Sequence, residues 1–139
     1  MEQSQNFQRQ LSQFRYLQEQ RDIYQNQFEL MNASLLNFQN SKKTIQNIMD
    51  GVKEEDEILI PIGGIVSIKA TIKDTNNALL FVGQDIAIEK SLGESIEFID
   101  KLIEKYSESM KFIIERLQSI EFALQGMGES LQGALNQKQ

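Results

Sequence analysis

Side chains able to do covalent or metal chemistry are scarce in this 139-residue chain, which contains neither cysteine nor histidine. That removes the thiolate nucleophile, the zinc–cysteine site and the disulfide, and with histidine goes the commonest general base and metal ligand. Two motifs remain to be weighed. Glu54-Glu55-Asp56-Glu57 offers the carboxylates a hard cation needs. Consecutive carboxylates cannot all face one ion, however, so the stretch that begins at Lys53 reads as a solvated linker. Gly63-Gly64 could cradle a phosphate, but it lacks the following Lys-Ser/Thr and opens onto a strand where a helix N-terminus is required. It reads as a tight turn. No catalytic constellation can be assembled from what is left, so neither an enzyme nor a cofactor or metal site is expected.

The formal charge of −6 comes without clustered Lys and Arg, which argues against nucleic acid as a partner. No apolar run approaches the length that crosses a bilayer, and the glutamine-rich N-terminus is unlike a signal peptide. A soluble cytoplasmic protein without a membrane partner is the expectation.

What the sequence offers in place of chemistry is periodicity. In the stretch 7–49, 3-4 spacing picks out Phe7, Gln10, Phe14, Leu17, Arg21, Tyr24, Phe28, Met31, Leu35, Phe38, Lys42, Ile45 and Met49. In 92–134 every such position is apolar: Leu92, Ile96, Ile99, Ile103, Tyr106, Met110, Ile113, Leu117, Ile120, Leu124, Met127, Leu131 and Ala134. A 3.5-residue apolar period sustained over about six heptads is the signature of a coiled-coil helix. Glycine after Asp50 is expected to end the first helix by entering the left-handed conformation at Gly51. Ser91, with Glu94 three residues on, has the spacing of a capping box for the second. Gly126, Gly128 and Gly133 fall in its last turns and weaken them by roughly 1 kcal/mol each relative to alanine.

Between the seams the period changes to two. Val66, Ile68, Ala70 and Ile72 alternate with Ser67, Lys69, Thr71 and Lys73, and shorter runs lie at 58–62, 78–82 and 86–89. Turn-forming residues separate them, giving four short strands in two hairpins. Pro61 cannot donate to a ladder, so its strand is an edge or starts irregularly. The expected architecture is α+β: a long antiparallel intramolecular coiled coil of two helices (1–50 and 92–139) joined by two β-hairpins (51–91) that assemble into an oligomeric β-barrel.

Matched seam lengths favour pairing of the helices within one chain, with Met49 facing Leu92, Phe38 facing Ile103, Phe28 facing Ile113, Leu17 facing Leu124 and Phe7 facing Ala134. Such an arm would be about 65 Å long at about 1.5 Å per residue. Arg21 and Lys42 interrupt the seam. Two readings of them stand: long side chains snorkelling to the surface, or polar residues that fix register. The hairpins are too small to be stable alone, so their edges and apolar residues must find partners. Ile58, Ile60, Ile62, Val66, Ile68, Ile72, Leu80, Val82, Ile86 and Ile88 are the expected oligomerisation set.

A helix, two hairpins and a second helix in this order resemble the alpha-class subunit of prefoldin over essentially the whole chain. The residues that carry the resemblance are Leu59-Ile60-Pro61-Ile62-Gly63, Ile68-Lys69-Ala70, Asn76-Asn77-Ala78 leading to Val82-Gly83, and Ala87-Ile88-Glu89-Lys90-Ser91. The resemblance implies a hexamer of two alpha and four beta subunits whose hairpins form a double β-barrel, with ATP-independent capture of non-native polypeptides between coiled-coil tips and delivery to a group II chaperonin. The partners it implies are thus beta-class prefoldin subunits, non-native polypeptides and that chaperonin.

The helix ends bring Phe7, Leu11 and Phe14 beside Met127, Leu131 and Leu135, the expected binding residues for unfolded polypeptide. There Phe7 faces only Ala134 and Gln10 faces Leu131, layers poorly matched in size and polarity that could open into an apolar groove. The plainer reading is that these residues finish the seam and fray. Phe98, Phe112 and Phe122 lie off the seam on outward positions, where single apolar residues are common, though they could add substrate contacts. A competing function is a coiled-coil scaffold or adaptor whose arms bind defined folded partners.

Overall fold

The computed structural model describes residues 2–137. The order of elements is α1 (Glu2–Gly51), β1 (Glu57–Gly63), β2 (Val66–Thr71), β3 (Asn77–Phe81), β4 (Ala87–Ser91) and α2 (Leu92–Gln137). The strands form two separate antiparallel ribbons, β1 with β2 and β3 with β4. Two compact units divide the chain, one comprising Met1–Leu35 and Tyr106–Gln139, the other Leu36–Lys105. Each contains a stretch of both helices, and the hairpins belong to the second.

In the hairpin-bearing unit, Ile45, Leu92 and Ile99 form a buried cluster against which Phe38, Ile48, Ala78, Ile96 and Ile103 pack. Lys42 Nζ lies 2.7 Å from an Asp100 carboxylate oxygen, which places it at the rim of the helix pair. In the unit that carries the helix termini, Met110, Ile113, Ile120, Leu124 and Leu131 are buried. Opposite them Phe7, Leu11, Phe14, Leu17, Tyr24, Phe28 and Met31 are half-buried. Arg21 reaches Glu121 at 3.8 Å and Asp22 at 3.6 Å. Within each unit α1 and α2 are therefore antiparallel, and the contacts keep the register expected from the seams to within one residue. Two helices alone can cover one stripe of each other, so branched aliphatics on α2 are buried while the larger aromatics of α1 lie partly open.

The seam of α1 departs from strict heptads in two places. Gln10 is exposed and Leu11 turns inward instead. Met49 is 53% exposed, whereas Ile48 packs on the Ile45–Leu92–Ile99 cluster. Neighbouring side chains on a helix stand about 100° apart, so a modest local rotation swaps one for the other and the residue with the better apolar contact wins.

Element ends also differ from expectation. Gly51 is the last residue of α1 and is not left-handed; the residue with positive φ is Glu55, at 68°. The Asp56 N–H donates to the Lys53 carbonyl at 3.1 Å and the Lys53 N–H to an Asp56 carboxylate oxygen at 2.7 Å, closing a four-residue turn with Glu55 third. That is the position where type II turns demand φ above zero. The first hairpin turns at Gly64-Ile65, since Gly63 still pairs with Val66, and the register slips between Pro61 and Gly63. Neither Gly63 nor Gly64 has positive φ. Pro61 thus sits beside a bulge in an edge strand, in keeping with its missing donor.

The start of α2 follows the expected cap. The Glu94 N–H donates to the Ser91 hydroxyl at 3.2 Å, the role of an N-cap side chain. The Ser95 hydroxyl, fully buried, donates to the Ser91 carbonyl at 2.8 Å. Asp74 organises the approach to β3 by accepting from the N–H groups of Asn76 and Asn77, at 2.8 and 3.2 Å. The N–H of Asn76 and the side-chain amide of Asn77 stabilise the carboxylate and hold its pKa below the ordinary value.

Candidate functional site

Two surfaces are built by these elements, one in each unit. Among the described residues no group of three or more acidic side chains converges as a metal site, and the acidic run at 54–57 is occupied by the turn that Asp56 closes.

The first surface comes from the hairpins. In β1–β2 the paired positions are Ile58 with Ala70, Leu59 with Lys69, Ile60 with Ile68 and Pro61 with Ser67. Alternation therefore collects Ile58, Ile60, Ile68, Ala70 and Val66 on one face and Glu57, Leu59, Lys69, Ser67 and Thr71 on the other. Across that second face Lys69 Nζ lies 3.7 Å from a Glu57 carboxylate oxygen. One side of this ribbon is apolar and the other mostly polar, and both are largely exposed.

The second ribbon is different. Leu80 pairs with Ile88 and Ala78 with Lys90 on one face, while Leu79 pairs with Glu89 and Phe81 with Ala87 on the other. Phe81 is 78% exposed and Leu79 63%. Of the expected oligomerisation residues, Ile60, Ile62, Val66, Ile68, Val82, Ile86 and Ile88 are exposed, whereas Ile58, Ile72 and Leu80 are half-buried. Leu59, Ile65, Leu79 and Phe81, outside that expected set, are exposed as well. So many large apolar side chains uncovered on two small ribbons is far from what a monomeric surface carries.

The second surface belongs to the unit of the helix termini. Phe7, Leu11, Phe14 and Met127 are half-buried, Leu135 is exposed, and Leu131 is buried at 8% exposure. The expected opposition of Gln10 and Leu131 is replaced by an inward Leu11, so this end of the seam is better packed than the heptad reading implied. A Cβ on Gly128 would lie 3.8 Å from Phe14 Cε2, while one on Gly126 or Gly133 would meet nothing within 4 Å. Beside this seam a groove of about 350 Å³ is lined by Gln10, Gln13, Phe122, Gly126, Met127 and Ser130. Phe122, 82% exposed, is thereby joined to Met127 of the expected set.

The three off-seam phenylalanines part company. Phe112 and Phe122 are exposed as expected, with the Arg116 guanidinium 5.8 Å from the Phe112 ring. Phe98 is half-buried, a correction to its outward assignment: it lines a groove with β3, and Lys90 Nζ sits 5.9 Å over its ring. The hairpin lies against that side of α2, a proximity that helix periodicity does not encode.

Comparison with known proteins follows this geometry closely. The family model described as prefoldin subunit matches residues 17–137. Prefoldin subunit alpha of Pyrococcus horikoshii is 36% identical over 98 residues, covering 70% of this chain and 66% of the relative. Prefoldin subunit alpha 1 of Thermococcus kodakarensis is 37% identical over 97 residues, covering 68% and 64%. The aligned stretch thus spans just under two thirds of the length of both relatives. A solved structure of filamentous PFD from Methanocaldococcus jannaschii superposes with a TM-score of 0.68 at 17% identity, covering 82% of this chain and 93% of that one, a likeness of fold.

Proposed function

The chain belongs to the prefoldin family, in its alpha class, and from that premise we propose that it is a subunit of an ATP-independent co-chaperone that captures non-native polypeptides. The observation that carries this reading is the uncovered apolar surface of both hairpins, which requires partner subunits, on a chain whose helix termini keep Phe122, Met127 and Leu135 accessible. In the assembled state two alpha and four beta subunits join through their hairpins, the helix pairs bind client chains, and clients pass to a group II chaperonin in the cytoplasm. Methionine and aromatic side chains in a shallow groove suit partners of varied sequence, because they adapt without demanding fixed polar geometry.

Triple substitution of Phe122, Met127 and Leu135 by serine tests the binding surface. The expected result is unchanged helicity and assembly with loss of aggregation suppression toward a denatured client. Full suppression by the triple variant would sink the assigned surface. A second reading, a coiled-coil adaptor for a folded partner, draws support from the burial of Leu131, which leaves the helix pair closed near its ends. It predicts that the triple variant leaves denatured clients indifferent and that one stoichiometric folded protein co-purifies.

A further inference from the structure

The groove beside the end of the seam has a counterpart in the same unit. Two heptads earlier on α2, about 21 Å along the axis, Glu108, Ser109, Phe112 and Ile113 line a second groove against Gln27 and Met31 of α1. Phe122, Ala123, Gly126 and Met127 hold the equivalent heptad positions in the terminal groove. On α1, which runs the other way, Gln27 is matched by Gln13, two heptads back. The two grooves are therefore the same flank of the helix pair met twice, and each position of one has an equivalent in the other.

Three exchanges set the terminal groove apart. Where the upstream groove has Glu108, the terminal one has Phe122, which removes a carboxylate and supplies a ring that is 82% exposed. Arg116, whose guanidinium lies 5.8 Å from the Phe112 ring, has Ser130 as its equivalent, so the cation goes too. Phe112 itself is matched by Gly126, where an added Cβ would meet nothing within 4 Å. The terminal lining thus carries no formal charge, and the place that an aromatic ring takes upstream is open. Long side chains on a helix lean towards its N-terminus, so a ring standing over Gly126 would lie across the turn that carries Phe122.

From this vacancy we propose that the terminal groove is a pocket for one aromatic side chain of a non-native polypeptide, seated over Gly126 between Phe122 and Met127. A charged side chain entering it would lose hydration without meeting an opposite charge. An aromatic ring gains an edge or face contact with Phe122 and a sulfur contact with Met127, beyond the area that any apolar group would bury. The side-chain amides of Gln10 and Gln13 and the Ser130 hydroxyl share the groove and can bond the main chain of the same segment whatever its sequence. The inference rests on the reading of the chain as a subunit that captures non-native polypeptides, and adds which side chain such a polypeptide offers.

The test uses an end-blocked peptide Gly-Ser-X-Ser-Gly with phenylalanine, alanine or glutamate at X. It is titrated into the assembly of the full chain with a beta-class subunit while the Met127 methyl resonance is followed. The phenylalanine peptide is expected to shift that resonance and to bind at least about tenfold more tightly than the alanine peptide, and the glutamate peptide no better than alanine. Gly126→Phe rebuilds the upstream arrangement at a helix position where phenylalanine is the better helix former. It is expected to abolish the preference for phenylalanine although it adds apolar surface. Equal binding of the phenylalanine and alanine peptides, in an assembly that suppresses aggregation of a denatured client, overturns the pocket and leaves the capture reading standing. A preference kept or strengthened in Gly126→Phe also overturns it, since the peptide then binds apolar surface in general. A phenylalanine preference that Gly126→Phe abolishes, in an assembly that does not suppress aggregation, supports the pocket and overturns the capture reading.

Discussion

Replacing Gly126 and Gly133 by alanine should stiffen the C-terminal part of α2 without disturbing its packing. Glycine inside a helix costs about 1 kcal/mol relative to alanine, because the unfolded chain loses more conformational freedom when it is ordered. At both positions an added Cβ meets nothing within 4 Å, so no steric term opposes the gain. Seven residues separate the two sites, about 10 Å along the axis, far enough for their effects to add. The pair should stabilise this segment by about 2 kcal/mol, a factor of roughly thirty in its opening equilibrium. Amide exchange across Met127–Leu131 is the direct assay, and protection there should rise by that factor while residues near Ile99 change little. If capture of clients requires this end of the helix pair to open, aggregation suppression by the double variant should fall, and Gly133→Ala alone, outside the groove that Gly126 lines, should lower it part of the way. Unchanged or reduced protection would refute the account of these glycines as the source of weakness. Raised protection with full suppression would show that clients bind the closed helix pair.

Further outcomes follow from local geometry. Glu55 is held at φ 68°, which costs a residue bearing a Cβ about 1 kcal/mol, so Glu55→Gly should raise the urea midpoint correspondingly. Ile113 is 4% exposed, and Ile113→Ala should lower stability by about 2 to 3 kcal/mol, near the bottom of the range for core truncations because two helices can partly close on the gap. The Asp74 carboxyl, lowered by the Asn76 N–H and the Asn77 side chain, stabilises the fold fully above its unfolded pKa of about 3.9 and loses that contribution as pH falls through its lower folded value. Denaturation at pH 7 and at pH 3 should therefore show a smaller acid-induced loss for Asp74→Asn than for the wild-type chain.

Most of the helical architecture was legible because it rests on local rules. An apolar residue every 3.5 positions has a single economical arrangement, and every seam position of α2 from Leu92 to Ala134 is buried or half-buried. The Ser91 cap was visible for the same reason, since a hydroxyl three residues ahead of an orphan N–H has few other uses. Where adjacent residues competed for the interface the pattern was blind. It preferred Gln10 to Leu11 and Met49 to Ile48, because a strict heptad cannot register a local rotation that only the partner helix and the hairpin select.

The candidate sites divide along the same line. The two hairpins with their large apolar side chains were legible through alternation alone, and the family was legible in the short motifs around Pro61, Asn76 and Ser91. Composition could not say that each face of the second ribbon carries large apolar side chains beside a charged one, nor that Phe98 turns toward β3 while Phe122 joins Met127 at an open groove. The chain by itself determined which elements form, since period, capping and turn chemistry act over a few residues. Tertiary structure decided which aromatic is covered and whether the end of the seam is closed, because those depend on the approach of segments far apart in sequence.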